Sequence, residues 1–252
     1  MRDESRVDPA GAARAQVTQD QGELVFRYRG CEFAVADGVQ PPKAGSLLFC
    51  RHLHFVEGEH VLEIGAGTGL AAVLAARAGC RVVATDVIPE AVDCVRGNAA
   101  RNGVGDRVEA LQGDCYEPVA GRRFDLICAS PPQMPTPPGR ERDDAAAAAD
   151  NGGVDGWDIL GRLIAGAPAH LVPGGRLVFT LFAFLGPRSA CARLEAAGLE
   201  PSILARETHA FPRIGYERLE HIRGLDTEGT LPVAKMPTSV DRLVMQGRTK
   251  PR

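Results

Sequence analysis

The sequence predicts an α/β fold in which a mostly parallel sheet is covered by helices on both faces. From Glu59 onwards, short apolar segments alternate with helical segments. Short, continuously apolar segments are typical of strands that are buried on both faces of a parallel sheet. A glycine-rich turn separates the first of these strands from the next helix. We therefore expect a doubly wound sheet of seven strands, with a ligand bound where the strands end.

Each element follows from its own periodicity and from the residues that end it. The predicted strands are His60–Ile64, Arg81–Thr85, Val108–Leu111, Phe124–Ala129, Gly175–Leu181, Ser202–Ala205 and Val240–Met245. The predicted helices are Ala44–His54, Gly69–Ala78, Pro89–Asn102, Val154–Leu171 and Arg188–Ala197.

Three further segments accompany this core. Residues 1–20 are polar and lack periodicity, which predicts a flexible tail. Residues 21–57 are predicted to form a small cap, with two short strands that turn at Gly30 and then a helix. Residues 58–252 form the main domain. Within it, residues 207–238 are rich in Gly and Pro, so we expect an irregular lid before the last strand.

Composition excludes several classes of protein. The formal net charge is −3, so there is no general positive field to attract a nucleic-acid backbone. Seven scattered cysteines without a Cys-x-x-Cys pair argue against a disulfide framework and a metal site. No apolar segment approaches the ~18 residues of a membrane span, and residues 1–20 do not resemble a signal peptide. We expect a cytoplasmic protein without a membrane partner. The oligomeric state stays open.

The segment Gly65-Ala-Gly-Thr-Gly69 lies between the first predicted strand and its helix. Glycines at this place allow a sharp turn and close approach of a ligand to the backbone. The spacing differs from the Gly-x-Gly-x-x-Gly of dinucleotide sites, and Glu63 stands two residues before the first glycine. Because a carboxylate repels phosphate and attracts ammonium, Glu63 favours the amino-acid end of S-adenosylmethionine over NAD.

Two more acidic residues end neighbouring strands. Asp86 ends the second strand, where an acid can accept hydrogen bonds from ribose hydroxyls. Asp114 follows the third strand, where it can accept from the adenine amino group beside Cys115.

With these residues in order, the segment 58–182 resembles the Rossmann-like class I S-adenosylmethionine-dependent methyltransferases. The resemblance implies that S-adenosylmethionine is the cofactor. The implied cofactor-binding residues are Glu63, Gly65, Ala66, Gly67, Gly69, Asp86, Val87, Asp114, Cys115 and Ser130.

The fourth predicted strand runs into Ser130-Pro-Pro-Gln133. This segment resembles the (Asn/Asp/Ser)-Pro-Pro-aromatic motif of N-methyltransferases, in which the first side chain and the next carbonyl accept hydrogen bonds from the target NH₂. The resemblance implies that Ser130, Pro131, Pro132 and Gln133 form the catalytic loop. Pro132 has no N–H to donate, so only acceptors face the substrate there. Gln133 replaces the usual aromatic residue, so a nucleobase would lose its stacking platform.

Two further segments are similar to the HemK-like glutamine methyltransferases, which contain a small methyltransferase domain. Residues 151–158 read Asn-Gly-Gly-Val-Asp-Gly-Trp-Asp, like the Gly-Gly-x-Asp-Gly stretch of that branch. Residues 38–43 correspond to its segment ahead of the core. Trp157, His209, Arg213 and Tyr216 are the candidate residues for contact with the acceptor.

These observations predict an enzyme that transfers methyl from S-adenosylmethionine to an amine or amide nitrogen of a small molecule or peptide. Three alternatives stay open. The first is an N-methyltransferase acting on rRNA, tRNA or a protein glutamine. The second is an enzyme that uses S-adenosylmethionine itself as substrate, by cyclisation. The third is a cofactor-binding scaffold without turnover.

Overall fold

The computed structural model describes residues 16–20, 23–140 and 150–251. Its strands are β1 (Gln16–Asp20), β2 (Glu23–Tyr28), β3 (Cys31–Val35), β4 (His60–Ile64), β5 (Arg81–Asp86), β6 (Val108–Gln112), β7 (Phe124–Ala129), β8 (Leu171–Phe182), β9 (Glu200–Ala210) and β10 (Ser239–Arg248). Its helices are α1 (Ala44–His52), α2 (Leu70–Arg77), α3 (Pro89–Arg101), α4 (Asp158–His170), α5 (Pro187–Ala196), α6 (Arg213–Glu217) and α7 (Leu219–Leu225).

Seven strands form the main sheet in the order β6-β5-β4-β7-β8-β10-β9. The pairs β6–β5, β5–β4, β4–β7 and β7–β8 are parallel, whereas β10 runs antiparallel to both β8 and β9. Separate hydrophobic clusters lie against the sheet, one with α4 and α5 and one with α1, α2 and α3. The predicted doubly wound, seven-stranded α/β fold is therefore confirmed.

Helix α2 shows how the sequence holds the site against the sheet. Every residue from Leu70 to Ala76 is buried, because the helix is apolar on all sides and lies between the sheet and its neighbours. Four of these seven residues are alanines, which let the helix axis approach the strands closely. The turn that starts this helix is thus fixed directly above the end of β4.

The N-terminal cap is a three-stranded antiparallel sheet, β1-β2-β3. The predicted turn at Gly30 is present between β2 and β3. The tail prediction was wrong for residues 16–20, which pair with β2 over their whole length. Residues 1–15 lie outside the described residues.

Two carboxamides attach this cap to the core, that of Asn98 in α3 and that of Asn102 directly after the helix. Asn98 accepts a hydrogen bond from Ala34 N and donates to Ala34 O, at 2.8 and 2.9 Å, and it also donates to Thr68 O at 2.9 Å. Asn102 accepts from Glu32 N and donates to Glu32 O, at 2.9 and 2.7 Å. The edge of β3 is therefore satisfied by side chains, and Asn98 links the cap to the glycine-rich loop.

Two predicted elements differ in the structure. The predicted irregular lid at residues 207–238 was wrong in its first half, because β9 continues to Ala210 beside β10 and the chain then forms α6 and α7. Residues 226–238 contain no helix or strand. The helix predicted from Val154 begins at Asp158 instead. Gly156 has φ +81°, and the Trp157 N–H donates to Asp155 Oδ1 at 2.9 Å, so a turn occupies these residues.

Among the described residues, no helix combines the length and the apolar composition that crossing a bilayer requires.

Candidate active site

One cavity of about 820 Å³ lies at the carboxyl ends of β4, β5, β6 and β7. It extends from the glycine-rich loop, past Ser130–Gln133, to residues of α1, α6 and β10. Its volume falls in the range of small-molecule and cofactor sites. The cavity therefore lies where open α/β sheets bind ligands, which is the place that the sequence predicts for the cofactor.

The glycine-rich loop is shaped by left-handed backbone conformations. Gly65 and Gly67 have φ values of +69° and +54°, and both line the cavity. A Cβ at either position would meet no atom within 4 Å, so the backbone faces open space. The loop is anchored to β5, because Gly65 N and Ala66 N both donate to Thr85 O of that strand. A ligand can therefore lie directly on this backbone.

Gly69 has a different role from the one predicted. It does not line the cavity, and a Cβ there would lie 3.2–3.3 Å from Val95 of α3. Its prediction as a cofactor contact is corrected: Gly69 allows α3 to pack closely against the start of α2.

Glu63 is a buried acid at the end of β4. Its side chain lines the cavity, and its Oε2 accepts a hydrogen bond from Ala72 N at 2.7 Å. Burial raises the pKa of this carboxyl to about 8, against the hydrogen bonds from Ala72 and Ala71, and the nearby Asp86 raises it further. Glu63 is therefore largely neutral near pH 7 until a cation lies beside it.

Asp86 and Asp114 both line the cavity, as predicted, and both already have partners. Asp86 accepts hydrogen bonds from Gly67 N at 2.9 Å and Ile88 N at 3.0 Å, which leaves lone pairs on each oxygen. Asp114 binds the exposed Arg162 through two hydrogen bonds of 2.6 and 3.1 Å. The predicted contact of Asp114 with an adenine thus has to share the carboxylate with Arg162.

Val87 and Cys115 complete the predicted cofactor residues. Both line the cavity, Val87 from an exposed position and Cys115 from a buried one. Burial raises the pKa of the Cys115 thiol, so this residue acts as a small apolar contact.

The predicted catalytic loop, residues 130–133, follows β7 and is held by the carboxamide of Gln133. Phe182 N donates to Gln133 Oε1 at 2.7 Å, and Gln133 Nε2 donates to Thr180 O at 3.2 Å. A backbone N–H only donates and a carbonyl only accepts, so these two contacts fix which way the amide points. The Gln133 side chain is 5% exposed, and the hydrogen bonds of its amide are made with β8. Gln133 therefore supports the loop instead of contacting a ligand.

This arrangement orients the hydroxyl of Ser130. Gln133 Nε2 also donates to Thr180 Oγ1 at 3.1 Å, and Ser130 Oγ lies 3.1 Å from the same hydroxyl. Thr180 is fully buried, and within the described part of the chain the only acceptor that its O–H reaches is Ser130 Oγ. Thr180 therefore donates to Ser130, since a buried donor needs a partner. Ser130 then keeps its own O–H and one lone pair for the cavity.

The glycine-rich segment before α4 supports the loop from the other side. Met134 N donates to Asp150 O, and Gly152 N donates to Met134 O, at 2.9 and 3.0 Å. A Cβ at Gly152 would lie 2.5 Å from the Cα of Gln133, so only glycine allows this approach. The stretch that the sequence analysis matched to glutamine methyltransferases thus fixes the catalytic loop.

Of the four predicted acceptor residues, only Arg213 lines the cavity. Trp157 is buried in the core, with the Arg193 guanidinium 4.4 Å from its ring centroid. Tyr216 packs edge-on against Phe211 and donates to Pro237 O at 2.9 Å. His209 lies on β9, outside the cavity lining. The predictions for Trp157, His209 and Tyr216 are therefore corrected.

Sequence reasoning missed the residues that distant elements bring to the cavity. They include Ser46 and Phe49 of α1, Phe182 of β8, Ile214 of α6 and Arg242 of β10. Each has an ordinary helix or strand pattern around it, so no local signal could identify it.

No group of His, Cys, Asp and Glu in the described parts of the chain could hold a metal ion.

The cavity fits S-adenosylmethionine on the evidence of its own residues: an open glycine backbone, a buried acid for an ammonium group, and an acid at the end of β5. The fold and the site together define a class I S-adenosylmethionine-dependent methyltransferase. Residues 40–143 match the family described as "Methyltransferase small domain".

Comparison with curated relatives makes the assignment more specific. The chain is 32% identical over 184 residues to a putative protein N5-glutamine methyltransferase of Methanocaldococcus jannaschii, covering 73% of this chain and 92% of the relative. It is 35% identical to the release factor glutamine methyltransferase of Cereibacter sphaeroides, over 75% of this chain and 69% of the relative. The chain belongs to the HemK-like branch of the S-adenosylmethionine-dependent methyltransferases.

Solved structures agree on the fold. The Mtq2–Trm112 complex of E. cuniculi, which methylates the termination factor eRF1, matches 84% of this chain and 99% of the solved chain, with a TM-score of 0.56 and 18% identity. The 16S rRNA N2 G1207 methyltransferase of T. thermophilus, solved with S-adenosylmethionine and guanosine, matches 94% of this chain and 50% of its own, with a TM-score of 0.57 and 19% identity.

Proposed function

We propose that this methyltransferase acts on the side-chain amide nitrogen of a glutamine in a protein or peptide. The cofactor supplies the methyl group on its sulfonium centre. The observation that carries the proposal is that Ser130 and Pro131 both line the cavity, and that the Ser130 hydroxyl keeps an O–H and a lone pair after its contact with Thr180.

A primary amide complements this pair. Its two N–H groups can donate to Ser130 Oγ and Pro131 O. In another rotamer of the hydroxyl, the Ser130 O–H can instead donate to the carbonyl oxygen of the amide. Pro131 O also lies 3.4 Å from Gln133 Nε2, but the two N–H groups of this amide have shorter contacts with Thr180 O and Thr180 Oγ1, so the carbonyl keeps a lone pair for an acceptor. Neither group is a strong base, so the loop contributes by holding the nitrogen in line with the methyl group.

The relatives support the same acceptor. Those of Methanocaldococcus jannaschii and Cereibacter sphaeroides carry the names of glutamine methyltransferases, and a third, from Bradyrhizobium diazoefficiens, is a ribosomal protein uL3 glutamine methyltransferase, 35% identical over 62% of this chain and 47% of the relative. A nucleobase acceptor is less well supported, because Gln133 is turned into β8 and offers no ring for stacking.

The test uses S-adenosylmethionine with an isotopically labelled methyl group and two purified acceptors, a bacterial release factor and ribosomal protein uL3. We expect label on a glutamine of one of them, located by tandem mass spectrometry, and loss of most of that label with Ser130→Ala. Label on RNA, or consumption of the cofactor without any labelled protein, would contradict the proposal. The second result would favour cyclisation of the cofactor or a small-molecule acceptor.

A further inference from the structure

An ion pair between Asp114 and Arg162 stands at the rim of the cavity. Asp114 lies two residues after β6 and lines the cavity, whereas Arg162 lies on α4, outside the cavity lining. Arg162 Nη1 donates to Asp114 Oδ2 at 2.6 Å, and Nη2 donates to Oδ1 at 3.1 Å. Each nitrogen thus binds a different oxygen, which is the geometry that fixes the plane of a carboxylate.

The pair is too exposed to act mainly as a stabilising contact. The side chains of Asp114 and Arg162 are 42% and 44% exposed, and surface ion pairs contribute little to the free energy of unfolding. The pair does fix the direction of the carboxylate. A carboxylate offers about four lone pairs, two on each oxygen. Because Arg162 takes one on each oxygen, Asp114 keeps acceptor capacity on both oxygens of a side chain that lines the cavity.

A second contact attaches the same loop to α4 without using the carboxylate. The Tyr116 O–H donates to Leu163 O at 2.8 Å, and the Tyr116 ring stacks on His170 with the ring centroids 4.6 Å apart. A Cβ at Gly166 would lie 2.5 Å from the Tyr116 ring, so glycine makes room for this ring. Tyr116 therefore sets the position of the loop, and the ion pair sets the orientation of Asp114 within it.

The backbone between these two contacts is strained. Cys115 has φ +51°, a left-handed conformation that residues other than glycine rarely adopt. Such a conformation persists only where the surrounding contacts impose it. The contacts of the neighbouring residues Asp114 and Tyr116 with α4 hold the chain on both sides of Cys115. As a result, Asp114 and Cys115 both line the cavity.

We propose that Arg162 is a positioning residue for the cofactor, which holds the Asp114 carboxylate so that a free lone pair accepts from the adenine amino group. This inference goes beyond the proposed function, because it concerns the cofactor and holds for any acceptor. A carboxylate only accepts, so a fixed carboxylate favours a purine that carries an amino group. Without Arg162, binding of the cofactor would have to order the Asp114 side chain, and this ordering lowers affinity.

The experiment compares two ligands that differ in one group, by isothermal titration calorimetry. They are S-adenosylhomocysteine and its analogue with hydrogen in place of the amino group at C6. Wild type should bind the amino ligand about tenfold more tightly, the lower end for a hydrogen bond to a charged group, because Asp114 is partly exposed. Arg162→Gln should reduce this preference to about threefold, through weaker binding of the amino ligand alone. The melting temperature should change little.

Three further variants separate positioning from general support of the loop. Tyr116→Phe removes the other contact with α4, so it should weaken both ligands by the same factor and keep the preference. Arg122→Gln is the matched control, because Arg122 is an exposed arginine that pairs with Glu109 at 2.8 Å outside the cavity. It should change neither affinity. Asp114→Ala should abolish the preference, and adding Arg162→Gln to it should have no further effect, since Arg162 acts through Asp114.

No acceptor is present in these titrations, so their outcome is independent of which nitrogen is methylated. Equal affinity of wild type for the two ligands overturns the inference. A loss with Arg162→Gln that is the same for both ligands overturns it as well, because the pair would then be a structural contact only. An undiminished effect of Arg162→Gln in the Asp114→Ala background would show that Arg162 does not act through the carboxylate, which also overturns the inference.

Discussion

Affinity for the cofactor should increase with pH, because Glu63 is largely neutral in the empty site. The pKa of this buried carboxyl is raised to about 8, and the reference value is 4.5. The amino-acid end of the cofactor carries an ammonium group, which interacts favourably with the ionised form only. Binding below the raised pKa therefore releases a proton.

The size of the effect follows from the ionised fraction. With a pKa of about 8, this fraction rises from about 1% at pH 6 to about 50% at pH 8. If Glu63 is fully ionised in the complex, the affinity rises by up to about fiftyfold between these two pH values. Titration in buffers of different ionisation enthalpy should detect release of close to one proton at pH 6.5.

Glu63→Gln is the decisive variant. Its affinity for S-adenosylhomocysteine should not change with pH, and it should bind more weakly than wild type at pH 8. Asp86→Ala should also weaken binding, and the pH dependence should remain but shift to lower pH, because Asp86 contributes to the raised pKa of Glu63. Wild-type affinity that is constant from pH 6 to 8, without proton release, would refute the assignment of Glu63 to the ammonium group.

The same carboxyl predicts the pH dependence of stability. The unfolded chain ionises Glu63 near its reference value, whereas the folded protein holds the proton until about pH 8. Through this group, the empty protein therefore loses stability as pH rises from about 4.5 to 8. Thermal unfolding of wild type and Glu63→Gln across this range should show a smaller loss in the variant.

Three further outcomes are expected. Thr180→Val removes the hydroxyl that orients Ser130 and should lower kcat by about tenfold with little change in cofactor affinity. Thr180→Ser keeps the hydroxyl and should turn over near the wild-type rate. Equal rates for Thr180→Val and wild type would contradict the role assigned to Thr180. Asn98→Ala leaves backbone groups of the cap and the glycine-rich loop unpaired, so it should cost about 3 kcal/mol in urea unfolding. RNA should bind weakly and without a steep salt dependence in a filter-binding titration, given the net charge of −3.

The order of strands and helices could be predicted because each element carries its own periodic pattern. The position of the glycine-rich loop at the cavity could be predicted as well, since the glycines and the acids Glu63, Asp86 and Asp114 all lie near the end of a predicted strand. Two of the errors concern segments whose structure depends on distant partners. Residues 16–20 and 207–210 become strands only because β2 and β10 lie beside them.

The residues at the acceptor end of the cavity could not be predicted from the sequence, because distant strands bring them together. Arg242 and Phe182 are ordinary strand residues in the chain, and they become neighbours only through the pairing of β10 with β8. The reverse holds for Trp157 and Tyr216, whose residue types suggested contact with a substrate. Both instead find partners inside the fold, which a single sequence does not reveal.

Ser130 and Gln133 are linked through the Thr180 hydroxyl, so substitutions of Ser130 and Thr180 should not have independent effects. Ser130→Ala removes both the donor and the acceptor that face the amide, so it should lower turnover about tenfold to a hundredfold with unchanged cofactor affinity. Ser130→Asn restores an acceptor and should keep more activity than Ser130→Ala. Its longer side chain meets the Thr180 hydroxyl, which Gln133 holds in place. Thr180→Ala should therefore slow wild type but rescue Ser130→Asn, a reversal of sign that a double-mutant cycle of initial rates measures directly. Additive effects of the two substitutions would show that Thr180 does not act through Ser130.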